Sequence, residues 1–434
     1  MKRTVPLKTR TRARLRQPPR VVEPREGGAD LIGSVADWLM DQALGEPELP
    51  DLFGGCCARL RAAGVPLARA YIGARILHPL FSAVSYVWRP ETGVKIEETP
   101  HHAGGGGFER SPHYQLIKDN VPLVRRRLAG PDAMVDFPLL EELRDQGMTD
   151  YFGFVVSFVE GWVFGSPASG MAGSWATDRP SGFNDGDIQA LMRIQRRLSV
   201  ACKMRIKDMI ARNVVTTYLG RNAGLRVLNG SIKRGDGETI RAAIWYSDLR
   251  NSTGLAERLD PAGYLAALNG YFECAAGPVL ARGGEVLLLI GDAVLGIFPC
   301  EPTQRALRNA CAAAYEAAGY AEAKLAALNR ARAAKGEPEI DFGVALHVGE
   351  LMFGNIGVPE RLQFTVVGPA ANEVARVQAL TKVLGRRVLV SRDFADILPV
   401  AWESQGMHEL AGLAGAREVL AAPADEFGGK RSRR

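Results

Sequence analysis

The sequence predicts an α+β protein whose sheet is mostly antiparallel, and two stretches of its C-terminal half carry that prediction. Residues 285–299 read EVLLLIGDAVLGIFP, which is two apolar runs separated only by Gly291 and Asp292. Such runs around a Gly-Asp pair are typical of a tight β-hairpin. Residues 241–248 read RAAIWYSD, a further β-type run that ends on Asp248. Helical stretches intermix with these strands along the chain, so we expect helices that pack on a sheet with hairpin connections.

Each of the two predicted strand ends carries one carboxylate. A single aspartate in that place most often caps a turn. Two such aspartates also suit a divalent-metal site for nucleotide phosphates, because Mg²⁺ usually takes one or two carboxylates together with phosphate oxygens. Asp248 and Asp292 are therefore candidate metal ligands.

Length and charge indicate a soluble globular chain of two or three domains. Its 434 residues exceed one ordinary hydrophobic core. Twelve lysines and arginines lie in residues 1–20 and 428–434, so removing them from the net charge of +6 leaves the remainder near −6. Basic character that is confined to the tails does not indicate a specific nucleic-acid-binding face.

The sequence also predicts a cytoplasmic protein. Residues 1–20 lack the apolar core of a secretory signal, and no run of about 18 apolar residues suggests a membrane span. The six cysteines form no C-x-x-C pair and no disulfide framework. We therefore expect reduced cysteines that are mostly buried.

A basic, disordered tail is expected over residues 1–30, followed by a first domain over residues 31–187. In this region we predict helices over 31–44 and 51–64, strands over 68–79 and 82–93, a helix that leads into a strand over 137–158, and a strand, a loop and a long helix over 170–198. This order, which ends in GFNDGDIQALMRIQRRL, resembles a GAF-type sensory domain. The resemblance implies a module that binds a small ligand or a protein and regulates the rest of the chain.

A helical connector is predicted over residues 188–233. Its apolar positions are spaced by threes and fours, which favours a two-stranded coiled coil. The alternative is an ordinary helix that packs on its own domain. We refer to these positions as the predicted seam: Ile188, Leu191, Ile194, Leu198, Cys202, Ile206 and Met209.

The second domain is predicted over residues 234–420, before a short basic tail over 421–434. Its elements beyond the hairpin are helices over 260–284, 303–333 and 369–385 and strands over 340–357, 362–368 and 386–391, followed by a peripheral helix and strand. The chain contains neither the GxxxxGK[ST] motif of P-loop proteins nor a strand-linked GxGxxG. These two nucleotide-binding folds are therefore excluded.

Four motifs of the second domain, in order along the chain, carry a resemblance to a known enzyme family. They are WYSDLRNST, GGEVLLLIGDAVLGIF, FTVVGPAANEVAR and RRVLVS. Together, over about residues 234–391, they resemble the catalytic domain of class III nucleotidyl cyclases. The resemblance implies a cyclase-type α/β sandwich with a ferredoxin-like core, and an enzyme that converts ATP to 3′,5′-cyclic AMP and pyrophosphate.

The resemblance also implies roles for the matching residues. Asp248 and Asp292 would hold two Mg²⁺ or Mn²⁺ ions. Asn372 would orient the ribose, and Arg376, one helical turn further, would stabilise charge on the α-phosphate. The phosphates would be bound by the loop after the first aspartate and by one cation, namely Leu249, Asn251, Ser252, Thr253 and Arg387. For the cation, an ordinary surface arginine is the alternative.

Two positions depart from the family pattern. Adenylate cyclases of the family usually read adenine with a lysine two residues before Ile-Gly-Asp and an aspartate or threonine directly after V-x-G. Here these base-pocket positions are Leu288 and Pro369, which offer neither a side-chain donor nor a side-chain acceptor. GTP or a pyrimidine triphosphate is therefore an alternative substrate, and a non-catalytic nucleotide-binding regulator is an alternative function.

The resemblance finally implies a homodimer. In the family, the metal carboxylates come from one subunit and the Asn/Arg pair from the other. This chain holds each half once, so two composite sites are expected in a dimer. A coiled coil over the connector would then transmit rotation or splay from the first domain to the catalytic pair.

Overall fold

The computed structural model describes residues 30–101, 107–159 and 169–423. They fall into two compact units whose boundary along the chain lies between Lys207 and Asp208, within the connector predicted over 188–233. Apart from residue 30 and residues 421–423, the predicted basic tails lie outside the described residues.

The N-terminal unit contains a six-stranded antiparallel sheet with the strand order β3-β2-β1-β6-β5-β4. Its helices are α1 (Leu31–Leu44), α2 (Leu49–Ala62), α3 (Pro112–Lys118), α4 (Pro138–Asp145) and α5 (Asp185–Leu219), the last of which continues into the second unit, and its strands are β1 (Arg69–Arg75), β2 (Phe81–Arg89), β3 (Gly93–Pro100), β4 (Leu123–Arg127), β5 (Asp150–Ser157) and β6 (Gly170–Thr177). The predicted helix over 31–44 is confirmed, whereas β3, α3 and β4 have no counterpart in the sequence prediction. The resemblance to a GAF-type domain stays a prediction.

The predicted seam is wrong as a coiled-coil interface for most of its length. Five of its seven residues are at most 2% exposed within the single chain: Leu191, Ile194, Leu198, Cys202 and Ile206. Cys202 lies close to Cys56 and Cys57 of α2, and burial raises the pKa of the Cys56 thiol to about 12. The alternative is therefore correct here: this face of α5 packs on its own unit.

One buried carboxylate fixes the loop that precedes α5. Asp150 is fully buried and accepts hydrogen bonds from Arg125 Nη2 at 2.7 Å and from Arg127 Nη1 at 3.4 Å. It also accepts from the backbone N–H of Phe183 at 3.0 Å. Because two guanidiniums face one carboxylate, the burial of its charge is compensated.

The C-terminal unit has an eight-stranded sheet in the order β13-β14-β12-β10-β7-β9-β8, with β11 paired to β10. Its helices are α6 (Arg221–Leu228), α7 (Ser252–Arg258), α8 (Pro261–Ala281), α9 (Gln304–Ala334), α10 (Pro369–Val383) and α11 (Arg392–Ala395), and its strands are β7 (Gly237–Leu249), β8 (Glu285–Ile290), β9 (Ala293–Cys300), β10 (Phe342–Val358), β11 (Arg361–Val367), β12 (Val388–Ser391), β13 (Glu403–Glu409) and β14 (Ala416–Ala421). Every pairing in this sheet is antiparallel except that of β10 with β12. The predicted mixed fold with mostly antiparallel strands is therefore confirmed for this unit.

Both faces of this sheet are covered by helices. On one face, Tyr271 of α8 and Leu325 of α9 belong to a buried cluster with Trp245 of β7. On the other face, Val374 and Val377 of α10 belong to a second cluster. The sheet therefore places β7 between two helical layers, and α10 lies on the face opposite α8 and α9.

Candidate active site

The structure brings the two predicted metal ligands together at one edge of the sheet. Asp248 of β7 pairs in register with Ala293 of β9, so it lies beside the β8–β9 turn that contains Asp292. The backbone N–H of Leu249 donates to the carbonyl of Asp292 at 3.1 Å, which fixes the turn against the end of β7. Gly291 has a φ of +62° in this turn, a conformation that glycine adopts without strain.

The two carboxylates act on each other. Burial, the charge of Asp292 and a hydrogen bond from Asp292 raise the pKa of Asp248 to about 6, against a smaller opposing effect of Lys382. A carboxylate pair that resists double ionisation is a site that a divalent cation stabilises. In the described ranges, no group of three or more His, Cys, Asp or Glu side chains could hold a metal. Two carboxylates fit Mg²⁺ or Mn²⁺, because such an ion takes its remaining ligands from phosphates and water.

The loop after Asp248 turns sharply into α7. We call residues 249–253 the phosphate loop. Asn251 has a left-handed φ of +55° there, Ser252 begins α7 half-buried, and Thr253 is exposed. Asparagine tolerates this conformation better than most residues do. The geometry therefore brings the loop residues next to the carboxylate pair through direct chain continuity, and their contact with phosphate stays a prediction.

Arg387 occupies an ion-pair network. Its Nη1 lies 2.7 Å from Glu322 Oε2, and its Nε lies 3.1 Å from Asp341 Oδ1. Its side chain is 28% exposed. A ligand phosphate would have to compete with both carboxylates, and the predicted phosphate contact of Arg387 stays a prediction.

The Asn/Arg pair lies on α10, which packs closely on β10. Asn372 and Arg376 are both exposed. Gly343 and Gly349 of β10 allow the close approach: a Cβ at position 343 would lie 2.1 Å from Thr381 Oγ1, and one at position 349 would lie 2.4 Å from the Cβ of Ala370. No hydrogen bond or ion pair between described residues joins Asn372 or Arg376 to the carboxylate pair within one chain.

Comparison with known proteins shows which proteins part of this chain is similar to. A stretch of 165 residues is 30% identical to an adenylate cyclase of Anabaena cylindrica, covering 37% of this chain and 31% of that protein. A stretch of 148 residues is 31% identical to adenylate cyclase 1 of Rhizobium meliloti, covering 34% of this chain and 22% of that protein. Over about a third of its length, the chain is similar to adenylate cyclases.

The same comparisons define the extent of this similarity. The chain spans less than a third of the length of these two curated relatives. No protein-family model matches the chain. The crystal structure of the adenylyl cyclase CyaB from P. aeruginosa aligns with 46% of this chain and 99% of its own length, at 18% identity and a TM-score of 0.40. Among the described helices, none has the length and apolar character needed to span a bilayer.

The two unusual base-pocket positions have local structural explanations. Leu288 is half-buried on β8 and follows a register shift in the pairing of β8 with β9. Pro369 is the first residue of α10, where the fixed φ of proline and its missing N–H suit a helix start. The exposed ring of Pro369 therefore has a structural role in addition to any role in base recognition.

Sequence reasoning missed one buried hydroxyl near these positions. Thr365 of β11 is 9% exposed, and its Oγ1 has no hydrogen-bond partner in the described part of the chain. β11 contacts β8, the strand that carries Leu288. Because an unpaired buried hydroxyl is unfavourable, Thr365 is a candidate for contact with a bound ligand. A threonine in an apolar strand carries no distinguishing signal in the sequence, since β-branched residues are common in strands.

Proposed function

We propose that the chain is a nucleotidyl cyclase that converts ATP to 3′,5′-cyclic AMP and pyrophosphate. The observation that carries the proposal is the carboxylate pair of Asp248 and Asp292, joined at one sheet edge by the β7–β9 register. The similarity to curated adenylate cyclases supports the reaction class. In this reaction the ribose 3′-hydroxyl gives its proton to solvent, its oxygen bonds to the α-phosphorus, the bond from that phosphorus to the bridging oxygen breaks, and pyrophosphate leaves.

The chain's own groups would bind and orient the triphosphate. Asp248 and Asp292 would hold two Mg²⁺ or Mn²⁺ ions, which when bound lower the pKa of the 3′-hydroxyl and neutralise phosphate charge. Asn372 would orient the ribose, and Arg376 would donate to the α-phosphate oxygens. Loss of one such donor typically lowers the rate about 10²–10³-fold.

The active enzyme in this proposal is a homodimer with composite sites. Within one chain, no hydrogen bond or ion pair between described residues connects the exposed Asn372 and Arg376 to the carboxylate pair. Large apolar side chains are exposed next to the Asp292 turn and on the paired β10–β11 strands, among them Leu289, Ile290, Met352 and Val367. An exposed apolar surface of this kind suits association with a second copy.

A second stripe on α5 suits the same dimer. Val200, Met204, Lys207, Ala211, Val214 and Tyr218 follow an alternating spacing of four and three, and all six are exposed. We call them the outer stripe. Five of the six are apolar or aromatic, which is the pattern of a parallel helix pair. The outer stripe, instead of the predicted seam, is therefore our proposed contact between the two α5 helices, through which the N-terminal unit would regulate the enzyme.

ATP is the proposed substrate, with the base read by groups other than Leu288 and Pro369. Thr365 offers a buried hydroxyl for this purpose. The test is an assay of the full chain with Mn²⁺ and each of ATP, GTP, CTP and UTP. We expect a cyclic product from ATP. A product from another triphosphate alone would reassign the substrate, and no product from any of them would overturn the enzymatic proposal.

Mixing two inactive variants tests the composite sites. We expect Asp292→Ala and Arg376→Ala chains to be inactive alone and to recover about a quarter of the activity when mixed, since half of the dimers are mixed and each has one intact site. The matched controls are Glu301→Ala and Arg308→Ala, which alter exposed side chains of the same unit and should stay active. Mixed dimers that form but stay inactive would contradict a shared site.

A further inference from the structure

Arg250 joins the phosphate loop to a distant part of the catalytic unit. It directly follows Leu249, the last residue of β7. Its backbone N–H donates to the carbonyl of Asp341 at 2.8 Å, and its Nη1 donates to Asp341 Oδ2 at 3.0 Å. The loop residue is therefore held twice by the residue that precedes β10.

The same guanidinium binds the C-terminal end of α10. Nη2 of Arg250 donates to the carbonyl of Thr381 at 3.2 Å and to the carbonyl of Arg386 at 2.8 Å. Carbonyls at a helix C-terminus lack partners within the helix, and a cation is favourable there. Arg250 thus caps the helix that carries Asn372 and Arg376. Thr381 is the fifth residue after Arg376, which is about 7.5 Å further along a helix.

The acidic partner of Arg250 is itself held in place. Asp341 Oδ1 accepts from Arg387 Nε at 3.1 Å, and Arg387 Nη1 contacts Glu322 of α9 at 2.7 Å. The side chains of Arg250, Arg387 and Glu322 are 23%, 28% and 12% exposed, and that of Asp341 is 36% exposed. Charged hydrogen bonds that are partly shielded in this way hold their geometry better than fully exposed surface pairs do.

We propose that Arg250 is a positioning residue that holds the phosphate loop and α10 of one chain in a fixed relation. This inference rests on the proposed function, in which the loop of a chain serves one composite site and its α10 serves the other. Arg250 then lies in the phosphate loop that serves one composite site and caps the α10 helix that serves the other. Its loss should impair both sites of the dimer, and not only the site next to its own loop.

Mixed dimers separate these two effects. In a mixture of Asp292→Ala and Arg376→Ala chains, the one intact site takes its carboxylates from the Arg376→Ala chain and its Asn/Arg pair from the Asp292→Ala chain. Arg250→Gln is added to one chain or to the other. We expect about a tenfold or larger loss of activity in both placements, because small displacements of catalytic groups have large effects on rate.

The two placements should differ in their kinetics. In the Arg376→Ala chain, Arg250→Gln disturbs the loop. It should therefore raise the Mn²⁺ concentration required for half-maximal activity and the KM for ATP. In the Asp292→Ala chain, it disturbs α10 and should lower kcat alone. General destabilisation would not produce this split. The matched control is Arg392→Gln, which removes ion pairs to Glu418 and Asp396 in the same unit and should leave both parameters unchanged.

A loss confined to the placement on the Arg376→Ala chain would show that Arg250 serves only its own loop, and would overturn the proposal. Equal activity of the mixtures with and without Arg250→Gln would also overturn the proposal. If the mixture without Arg250→Gln is inactive, the proposal of composite sites is wrong. The proposed connection of two sites through Arg250 is then wrong as well.

Amide hydrogen exchange tests the cap without any activity. In the homodimeric full chain, Arg250→Gln should speed exchange at residues 384–387, since the backbone N–H of Arg386 shares the Thr381 carbonyl with Arg250. The Arg392→Gln control should not. Unchanged protection at these residues in Arg250→Gln would overturn the capping role whether or not the protein is a cyclase.

Discussion

Substitution of Gly349 by alanine is expected to displace α10 and to lower the rate of the proposed cyclase reaction without disturbing the carboxylate pair of Asp248 and Asp292. The new Cβ would lie 2.4 Å from the Cβ of Ala370. Carbon atoms pack at about 3.5–4.0 Å, so the strand and the helix must separate by about 1 Å or slightly more. Ala370 is the second residue of α10, and its Cβ cannot rotate away from the contact. The helix, with Asn372 and Arg376, must therefore move.

This displacement has a calculable consequence for catalysis. A misplacement of about 1 Å can lower a rate about 10²-fold, and overpacking of this kind costs about 1–3 kcal/mol of stability. We expect kcat for cyclic nucleotide formation to fall by about that factor. The Mn²⁺ dependence should be unchanged, because Asp248 and Asp292 lie on β7 and in the β8–β9 turn. Steady-state assays well below the unfolding temperature measure both quantities.

Two further variants make the result specific. Ala370→Gly in the same chain removes the opposing methyl group and should restore most of kcat. Gly277→Ala is the matched control, since its Cβ would meet only the flexible end of Lys324 at 3.2 Å. Full activity of Gly349→Ala, or no recovery in the double variant, would refute the reasoning that β10 sets the position of α10.

Three other expectations follow from buried polar groups. With a pKa of about 6, Asp248 is about one-tenth ionised at pH 5 and about nine-tenths at pH 7, so Mn²⁺ should bind about tenfold more weakly at pH 5. A Mn²⁺ affinity that calorimetry finds equal at pH 5 and pH 7 would contradict this expectation. Asp292→Asn should shift the pH dependence of Mn²⁺ binding to lower pH. Asp150→Asn should cost about 2 kcal/mol in denaturant unfolding of the N-terminal unit, because Arg125 and Arg127 lose their charged acceptor but remain partly exposed to water. Thr365→Val should stabilise the ligand-free chain by about 1 kcal/mol while raising the KM for ATP, and an unchanged KM would exclude Thr365 from base recognition.

The β8–β9 hairpin was predictable from sequence because its signal is local. Gly291 supplies the positive φ that the turn needs, and apolar runs on both sides define β8 and β9. The proximity of Asp248 to Asp292 is different, since their positions in the sequence differ by 44. It depends on the pairing of β7 with β9, which no local pattern specifies.

The strands of the N-terminal unit that the sequence analysis missed also depend on pairing with segments that are distant in sequence. β4 reads LVRRR, which looks like a polar segment because three arginines occur in succession. Its strand conformation follows from pairing with β5, and two of its arginines are compensated by Asp150 across that pair. A charged strand of this kind is stabilised by partners that are distant in sequence, so its local composition misleads.

The helix α5 shows why periodicity identifies a helix more reliably than it identifies the partner. A spacing averaging 3.5 residues fits both a coiled coil and an amphipathic helix on its own domain. The face that begins at Leu191 is buried in the single chain, and the face that begins at Val200 is exposed. The same helix therefore carries two stripes, and only burial distinguishes the stripe that is already used from the stripe that is free for a second chain.

The placement of α10 depends on residues to which the family resemblance assigns no role. Asn372 and Arg376 are the predicted catalytic residues of this helix, but Gly343 and Gly349 allow it to approach β10, and Arg250 caps its end. None of these three residues needs to touch a substrate for its substitution to matter. If the proposed dimer is correct, the residues that decide the rate at each site include groups whose only contacts are with their own chain. Variants at Gly349 and Arg250 should then lower kcat as strongly as some variants at the carboxylate pair or the Asn/Arg pair.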